Sequence, residues 1–220
     1  MQATSAKPPP YRIHHYPASL IDTRTLRSGR RLTLRPVLPQ DGQLIGELVA
    51  GLSPAARRQR FHGAVKLSAA RLQHMSCVDY THHLALVVTV QVDGTERVVA
   101  DARYCVSGDR SAEFALVVDV RWQGLGIGAW ALLALQNAAA TAGIAWLQGA
   151  VQRGNAPMLA LVQRCGFDCT PDPGDEQLVK VAVRLGAAGA ATPSPQRRLG
   201  SWLSRAGLLF QHPLTPRLTP

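Results

Sequence analysis

Between residues 30 and 185 the spacing of apolar positions changes several times, and those changes outline a fold. Arg31–Arg35 alternates around Leu32 and Leu34, a period of two that predicts a short strand stopped by Pro36. Leu38-Pro39-Gln40-Asp41 opens a helix that runs to about Gly51. Ser53-Pro54 offers a capping hydroxyl and a preset φ, so it starts a second helix, and a third short one follows Ser68. Leu84–Val92 and Arg97–Val106 are rich in β-branched residues and flank Asp93-Gly94, a dipeptide suited to a tight hairpin turn. Ala112–Val118 reads as another strand after the polar turn Ser107–Ser111. The chain then changes character: a glycine-rich loop, a helix over 127–142, a strand over 144–151, a helix over 155–164 and a last strand near Gln177–Leu185. An antiparallel meander followed by strand–helix–strand connections predicts an α+β domain, with a mixed, mostly antiparallel central sheet flanked by helices.

Composition sharpens the boundaries. A chain of 220 residues suits one well-cored domain with tails. Residues 1–29 read as an extended basic arm, stiffened by Pro8–Pro10, and residues 186–220 turn to Ala, Pro and Arg. The domain expected between them is 30–185. The net charge of +10 is unevenly spread: 1–31 carries six basic residues against Asp22, and 186–220 carries four against none. Fourteen basic and thirteen acidic residues remain in 32–185, a net charge of +1 that does not support a nucleic-acid groove across the core. In the tail, Leu199, Trp202, Leu203 and Ala206 would share one helical face, with Arg197, Arg198 and Arg205 largely elsewhere. Such a short helix needs a partner surface, whether the core, a second copy in a homo-oligomer or an anionic membrane; the alternative is disorder.

Cys77, Cys105, Cys165 and Cys169 form no Cys-x-x-Cys pair, and neither they nor His14-His15 and His82-His83 have a metal-site spacing, so free thiols and no metal are expected. MQATSAKPPP has no apolar signal region. Ile127–Val151 is apolar enough to suggest a membrane span, but Gly143 divides it into a buried helix and a buried strand. These features point to a cytoplasmic protein.

The sharpest chemical signal is the run Ala115-Leu116-Val117-Val118-Asp119-Val120-Arg121-Trp122-Gln123-Gly124-Leu125-Gly126-Ile127-Gly128. A strand feeds three glycines and a helix begins at once. Unpaired N–H groups at a helix start carry partial positive charge, and absent side chains admit phosphate oxygens. No Gly-Lys-Ser/Thr closes the loop, which excludes a Walker site. Gly124-x-Gly126-x-x-Ala129 fits a dinucleotide pattern, but 146–152 reads WLQGAVQ and lacks the ribose-binding acid. A glycine turn needed only for packing remains the bland alternative.

Gln123-x-x-Gly126-x-Gly128 resembles the coenzyme A signature of the GNAT acetyltransferases. Asn155-Ala156-Pro157-Met158 leading to Arg164-Cys165-Gly166-Phe167 resembles the family's second motif. LRP at 34–36, LSPAARRQRF at 52–61, VDY at 78–80, ALVV at 85–88 and AEFALVVDVRWQGLGIG at 112–128 are similar to bacterial protein-lysine acetyltransferases. The resemblance spans roughly 30–185 and implies a GNAT-like acyl-CoA N-acyltransferase fold, with acetyl-CoA as co-substrate and a protein lysine as acceptor. A small amine is the alternative acceptor, and a non-catalytic acyl-CoA sensor is the alternative role.

Acetyl transfer to an amine requires a base, a group to stabilise the oxyanion and a way for the thiolate to leave. Glu113 is the one acid in its strand, and the apolar run behind it should raise its pKa. The resemblance places the general base there. It also assigns the pantetheine to the strand end at Val117 and Val118, the pyrophosphate to Gln123, Gly124, Leu125, Gly126, Ile127 and Gly128, and a further contact to Asn155, a residue that equally suits a helix cap. Many family members carry a tyrosine four residues before the Gly-Phe glycine, and Val162 stands at that position here. Tyr80, Tyr104 and Cys165 are the remaining candidates for the acid.

Overall fold

A computed structural model describes residues 15–61, 68–108 and 110–186. The elements run β1 (Asp22–Thr25), β2 (Arg31–Pro36), α1 (Gly42–Ala50), α2 (Pro54–Phe61), α3 (Ala69–Ser76), β3 (His83–Val92), β4 (Thr95–Gly108), β5 (Ser111–Val118), α4 (Ile127–Thr141), β6 (Trp146–Gln152), α5 (Ala156–Arg164), β7 (Asp168–Asp172) and β8 (Asp175–Arg184). Eight strands form one sheet in the order β1-β2-β3-β4-β5-β6-β8-β7. Every neighbouring pair is antiparallel except β5–β6. The mixed, mostly antiparallel α+β architecture expected from the pattern is the one observed.

Local chemistry explains the elements. Ser68 caps α3 by accepting the Arg71 N–H at 3.2 Å. Asp93 and Gly94 both take positive φ, as a two-residue hairpin turn between β3 and β4 requires. The central strands β3 and β4 are buried over most of their length because helices cover both faces. On one face Leu84, Leu86, Ala102 and Tyr104 pack against Trp130, Leu132 and Leu135 of α4. On the other, Ala85, Val87, Val98 and Val117 pack against Ile45, Leu48 and Val49 of α1, with Phe61 and Met75.

Two strands depart from the expectation. Within the expected basic arm 1–29, residues 22–25 form β1, an edge strand paired to β2. It is anchored by polar contacts: Trp130 Nε1 donates to Asp22 Oδ2 at 2.8 Å, and the Arg24 guanidinium lies 4.7 Å above the Trp130 ring. Upstream, the Tyr16 hydroxyl donates to the Pro36 carbonyl at 3.0 Å. Strand β7 was also unanticipated and completes the opposite edge. The apolar stretch 127–151 is α4, a turn at Gly143 and β6, and no helix among the described residues is long and apolar enough to cross a membrane. The amphipathic pattern at 197–207 lies outside the described residues.

Candidate active site

The site begins where the single parallel pair comes apart. Strands β5 and β6 pair at Ser111–Trp146, Ala112–Leu147 and Glu113–Gln148, and there the ladder ends. Both strands continue, β5 to Val118 and β6 to Gln152. At the next step the Phe114 ring presses on Gly149, where a built Cβ would come within 3.1 Å of Phe114 Cε1 and 3.3 Å of its carbonyl oxygen. The diverging strands leave a cleft of about 1170 Å³. Phe114–Val118 line one wall, Gly149–Gln152 and Asn155 the other, and Gln123, Gly124, Gly126, Ile127 and Gly128 one end.

Backbone alternation shows which strand groups the cleft receives. The Asp119 N–H donates to the Val99 carbonyl across β4 at 2.9 Å. Successive N–H groups point to opposite sides, so Val117 faces β4 and Val118 presents its N–H toward the cleft. The Val118 carbonyl accepts Gln123 Nε2 at 3.0 Å, which ties the loop to the strand end. Gln123 therefore braces the loop through its side chain. Asp119 shapes the intervening turn by accepting the Arg121 N–H and its guanidinium, and Trp122 is buried beneath it.

Gly124 and Gly126 have φ of 74° and 80°, in the left-handed region. Gly126 is the N-cap of α4, and the first bond spanning the cap runs from the Trp130 N–H to the Gly126 carbonyl at 3.0 Å. The N–H groups of Ile127, Gly128 and Ala129 precede that bond, so no carbonyl four residues earlier within α4 accepts them. Gly128 is constrained by packing: its Cβ would stand 3.1 Å from Leu161 Cδ2 and 3.5 Å from Val118 Cγ2. Ile127 sends its side chain into the core and Leu125 is exposed, so neither offers a side chain to an anion. These glycines leave an open cradle at a helix start, which fits a pyrophosphate without any side-chain charge. Asn155 caps α5 by accepting the Met158 N–H at 3.3 Å, and that cap uses Oδ1 alone.

Glu113 stands at the last paired level, two residues before the wall residue Ala115 and on the same strand face as Ala115 and Val117. It does not itself line the cleft. It is partly buried, and burial pushes its pKa up to about 7. Cys105 lies directly opposite on β4, its thiol pushed up to about 12 by burial. Beside them sits a charged cluster that pattern reading missed. Arg103 Nε donates to Asp101 Oδ1 at 2.8 Å, and its Nη2 bonds Asp101 Oδ2. Arg60 of α2, buried and on the cleft wall, places Nη2 3.8 Å from Asp101 Oδ1. The one sequence signal was Ala100-Asp101-Ala102-Arg103, with charges at inward positions of a central strand.

The candidate acids separate clearly. Val162 is fully buried in the core. The Tyr80 hydroxyl donates to the Val37 carbonyl at 2.6 Å, and Tyr104 is buried against the α4 face with its pKa pushed up to about 12 by burial. Cys165 is the one of the three that lines the cleft, and burial raises its thiol. Among the described residues no group of three or more His, Cys, Asp or Glu side chains gathers as a metal site.

Residues 57–167 match the model of the acetyltransferase (GNAT) family. An acetyltransferase of Pseudomonas aeruginosa is 31% identical over 159 residues, covering 70% of this chain and 84% of that protein. Acetyltransferase Pat of Mycolicibacterium smegmatis is 32% identical over 143 residues, which is 64% of this chain and 42% of that longer relative. The GNAT domain of S. lividans PAT superposes with a TM-score of 0.68 at 23% identity, over 78% of this chain and 100% of that domain. The chain belongs to the GNAT acetyltransferase family. It is an enzyme, an acetyltransferase that draws its acetyl group from acetyl-CoA.

Proposed function

We propose that the protein is an N-acetyltransferase that moves acetyl from acetyl-CoA to a protein lysine by direct attack, with Glu113 as general base. The observation that carries this reading is the divergence of β5 and β6 immediately past Glu113, with a glycine cradle at the far end. The N–H groups of Ile127, Gly128 and Ala129 hold the pyrophosphate, and Gly124 and Gly126 let it approach the backbone. Val118, facing the opened strand gap, donates its N–H toward the acetyl or pantetheine carbonyl, and Asn155 offers its Nδ2 donors from the opposite wall. Glu113, with a pKa near 7, is ionised at neutral to mildly alkaline pH and basic enough to take the amine proton, directly or through a water. Cys165 is the cleft residue available to return a proton to the leaving thiolate. A thiol of ordinary pKa also leaves without assistance.

The choice of a protein lysine rests on the resemblance of LSPAARRQRF and AEFALVVDVRWQGLGIG to protein-lysine acetyltransferases. Incubation with labelled acetyl-CoA and host lysate tests it. The reading expects label in protein, on lysine. Label confined to small molecules would move the acceptor to a small amine, with the same cleft and base.

A further inference from the structure

The face of the sheet that carries Glu113 also carries a cation able to spoil it. Arg103 lies two residues along β4 from Cys105, the residue opposite Glu113. Opposed residues share a face, so Arg103 and Glu113 are diagonal neighbours about 7–8 Å apart, with their Cβ atoms somewhat closer. An arginine side chain spans that distance. Arg103 turns the other way. Its Nε and Nη2 hold the two carboxylate oxygens of Asp101, two residues back on its own strand, and Nη1 donates to the Met75 carbonyl at 3.1 Å. Arg103 and Asp101 are 4% and 1% exposed, so the fork–fork pair is sealed from water.

Arg103 Nη1 also lies 3.5 Å from His83 Nε2, but among the described residues around the pair no second carboxylate holds the guanidinium. Arg60 from α2 approaches the same carboxylate, so two cations share one aspartate. Cys105 keeps its proton. His83, opposite Cys105 on β3, is held neutral by burial and by the neighbouring Arg103, with a pKa lowered to about 3. His74 of α3 stacks obliquely 6.0 Å from His83. The Asp79 carboxylate accepts the N–H groups of Thr81, His82 and His83. Asp101 is therefore the carboxylate that holds Arg103.

We propose that Asp101 is a positioning residue for acetyl transfer: by clamping the Arg103 guanidinium back along β4, it denies Glu113 a cationic partner and keeps that carboxylate free to accept a proton. The inference rests on Glu113 being the base. A carboxylate paired with arginine is depressed by about 1–3 pH units and has its lone pairs occupied, which makes it a poor base. Among the described residues, burial is the cause that raises Glu113, in keeping with the clamp.

The test is the pH profile of kcat/KM for acetyl transfer to a lysine peptide, using the full chain. The parent's activity rises through pH 7. In Asp101→Asn the released Arg103 turns to Glu113, and the rise moves down by about 1–3 pH units. Adding Arg103→Met to Asp101→Asn moves it back up. Should Asp101→Asn not fold, Asp101→Asn with Arg60→Met keeps the cluster's net charge unchanged, frees Arg103 and shows the same downward shift. A folded variant lacking Asp101 whose profile keeps the parental midpoint, with only its melting temperature lowered, overturns the proposal. Glu113→Gln separates the two ideas: if that variant retains the pH 7 rise, the base assignment fails first. If it loses the rise while Asp101→Asn keeps it, the clamp alone fails.

Discussion

Gly126 offers a substitution pair that separates backbone strain from charge in the cradle. Its φ of 80° is left-handed, and a Cβ built there meets no atom within 4 Å. Gly126→Ala therefore costs about 1–2 kcal/mol of strain with no clash. Gly126→Asp has similar strain, partly offset by about 0.3–1 kcal/mol from a carboxylate at the start of α4. The two variants should thus melt within a few degrees of each other. Their ligand affinities should diverge. A carboxylate about 4 Å from one phosphate charge, at an effective dielectric near 20, opposes binding by about 4 kcal/mol. Each 1.4 kcal/mol is tenfold in affinity, so Gly126→Asp should weaken acetyl-CoA by about 10²–10³-fold. Gly126→Ala should lose about tenfold or less. Calorimetric titration with acetyl-CoA measures both, and raising the salt should narrow the gap. Equal affinities for the two variants would refute the electrostatic argument, and parental affinity in a folded Gly126→Asp would remove the loop from the site.

Three further outcomes follow from the geometry. Glu113 has a folded pKa of about 7, above its ordinary 4.5, so the stability it contributes is full below pH 4.5 and lost as pH rises through 7. Glu113→Gln should therefore melt higher than the parent at pH 8.5, by on the order of 2 kcal/mol, with the gain vanishing near pH 4; an unchanged difference across that range contradicts the burial of the charge. Gly149→Ala drives a methyl into the Phe114 ring and carbonyl, and should cost about 1–3 kcal/mol in thermal unfolding along with acetyl-CoA affinity, whereas free accommodation would mean that Phe114 does not set the strand separation. Deleting residues 190–220 should leave kcat/KM unchanged, since every residue assigned to the cleft precedes Gly186; a loss of activity would place part of the site in the tail.

The elements with strong periodicity were legible because burial wrote them. Strands β2 to β6 and helices α1, α4 and α5 carry the apolar residues their packing demands, whereas α2 and α3 were legible from the local chemistry of their starts, Ser53-Pro54 and the Ser68 cap, as was the Asp93-Gly94 turn. The strands that escaped notice lack that signature. All four residues of β1 are exposed, and its anchorage comes from Trp130, more than a hundred residues away. Strand β7 holds Pro171 at a sheet edge, where a missing N–H is tolerated but reads as a break.

The site divides in the same way. The loop glycines were visible because a left-handed φ and close packing exclude other side chains. Desolvation of Glu113 was visible from the apolar run behind it. The end of the β5–β6 ladder was not, since Phe114 and Gly149 meet only through tertiary register. Nor was the Arg60–Asp101–Arg103 cluster, which draws on α2 and β4 together.

The role of Glu113 as the base is decided by one comparison: kcat/KM for transfer from acetyl-CoA to a lysine peptide against pH, for the parent and Glu113→Gln. The parent should rise through about pH 7, and the variant should lack that rise, bind acetyl-CoA nearly as the parent does, fall by on the order of 10²-fold or more at pH 7.5 and partly recover at high pH, where free amine is abundant. A folded variant that turns over at the parental rate, with the same rise through pH 7, would contradict it.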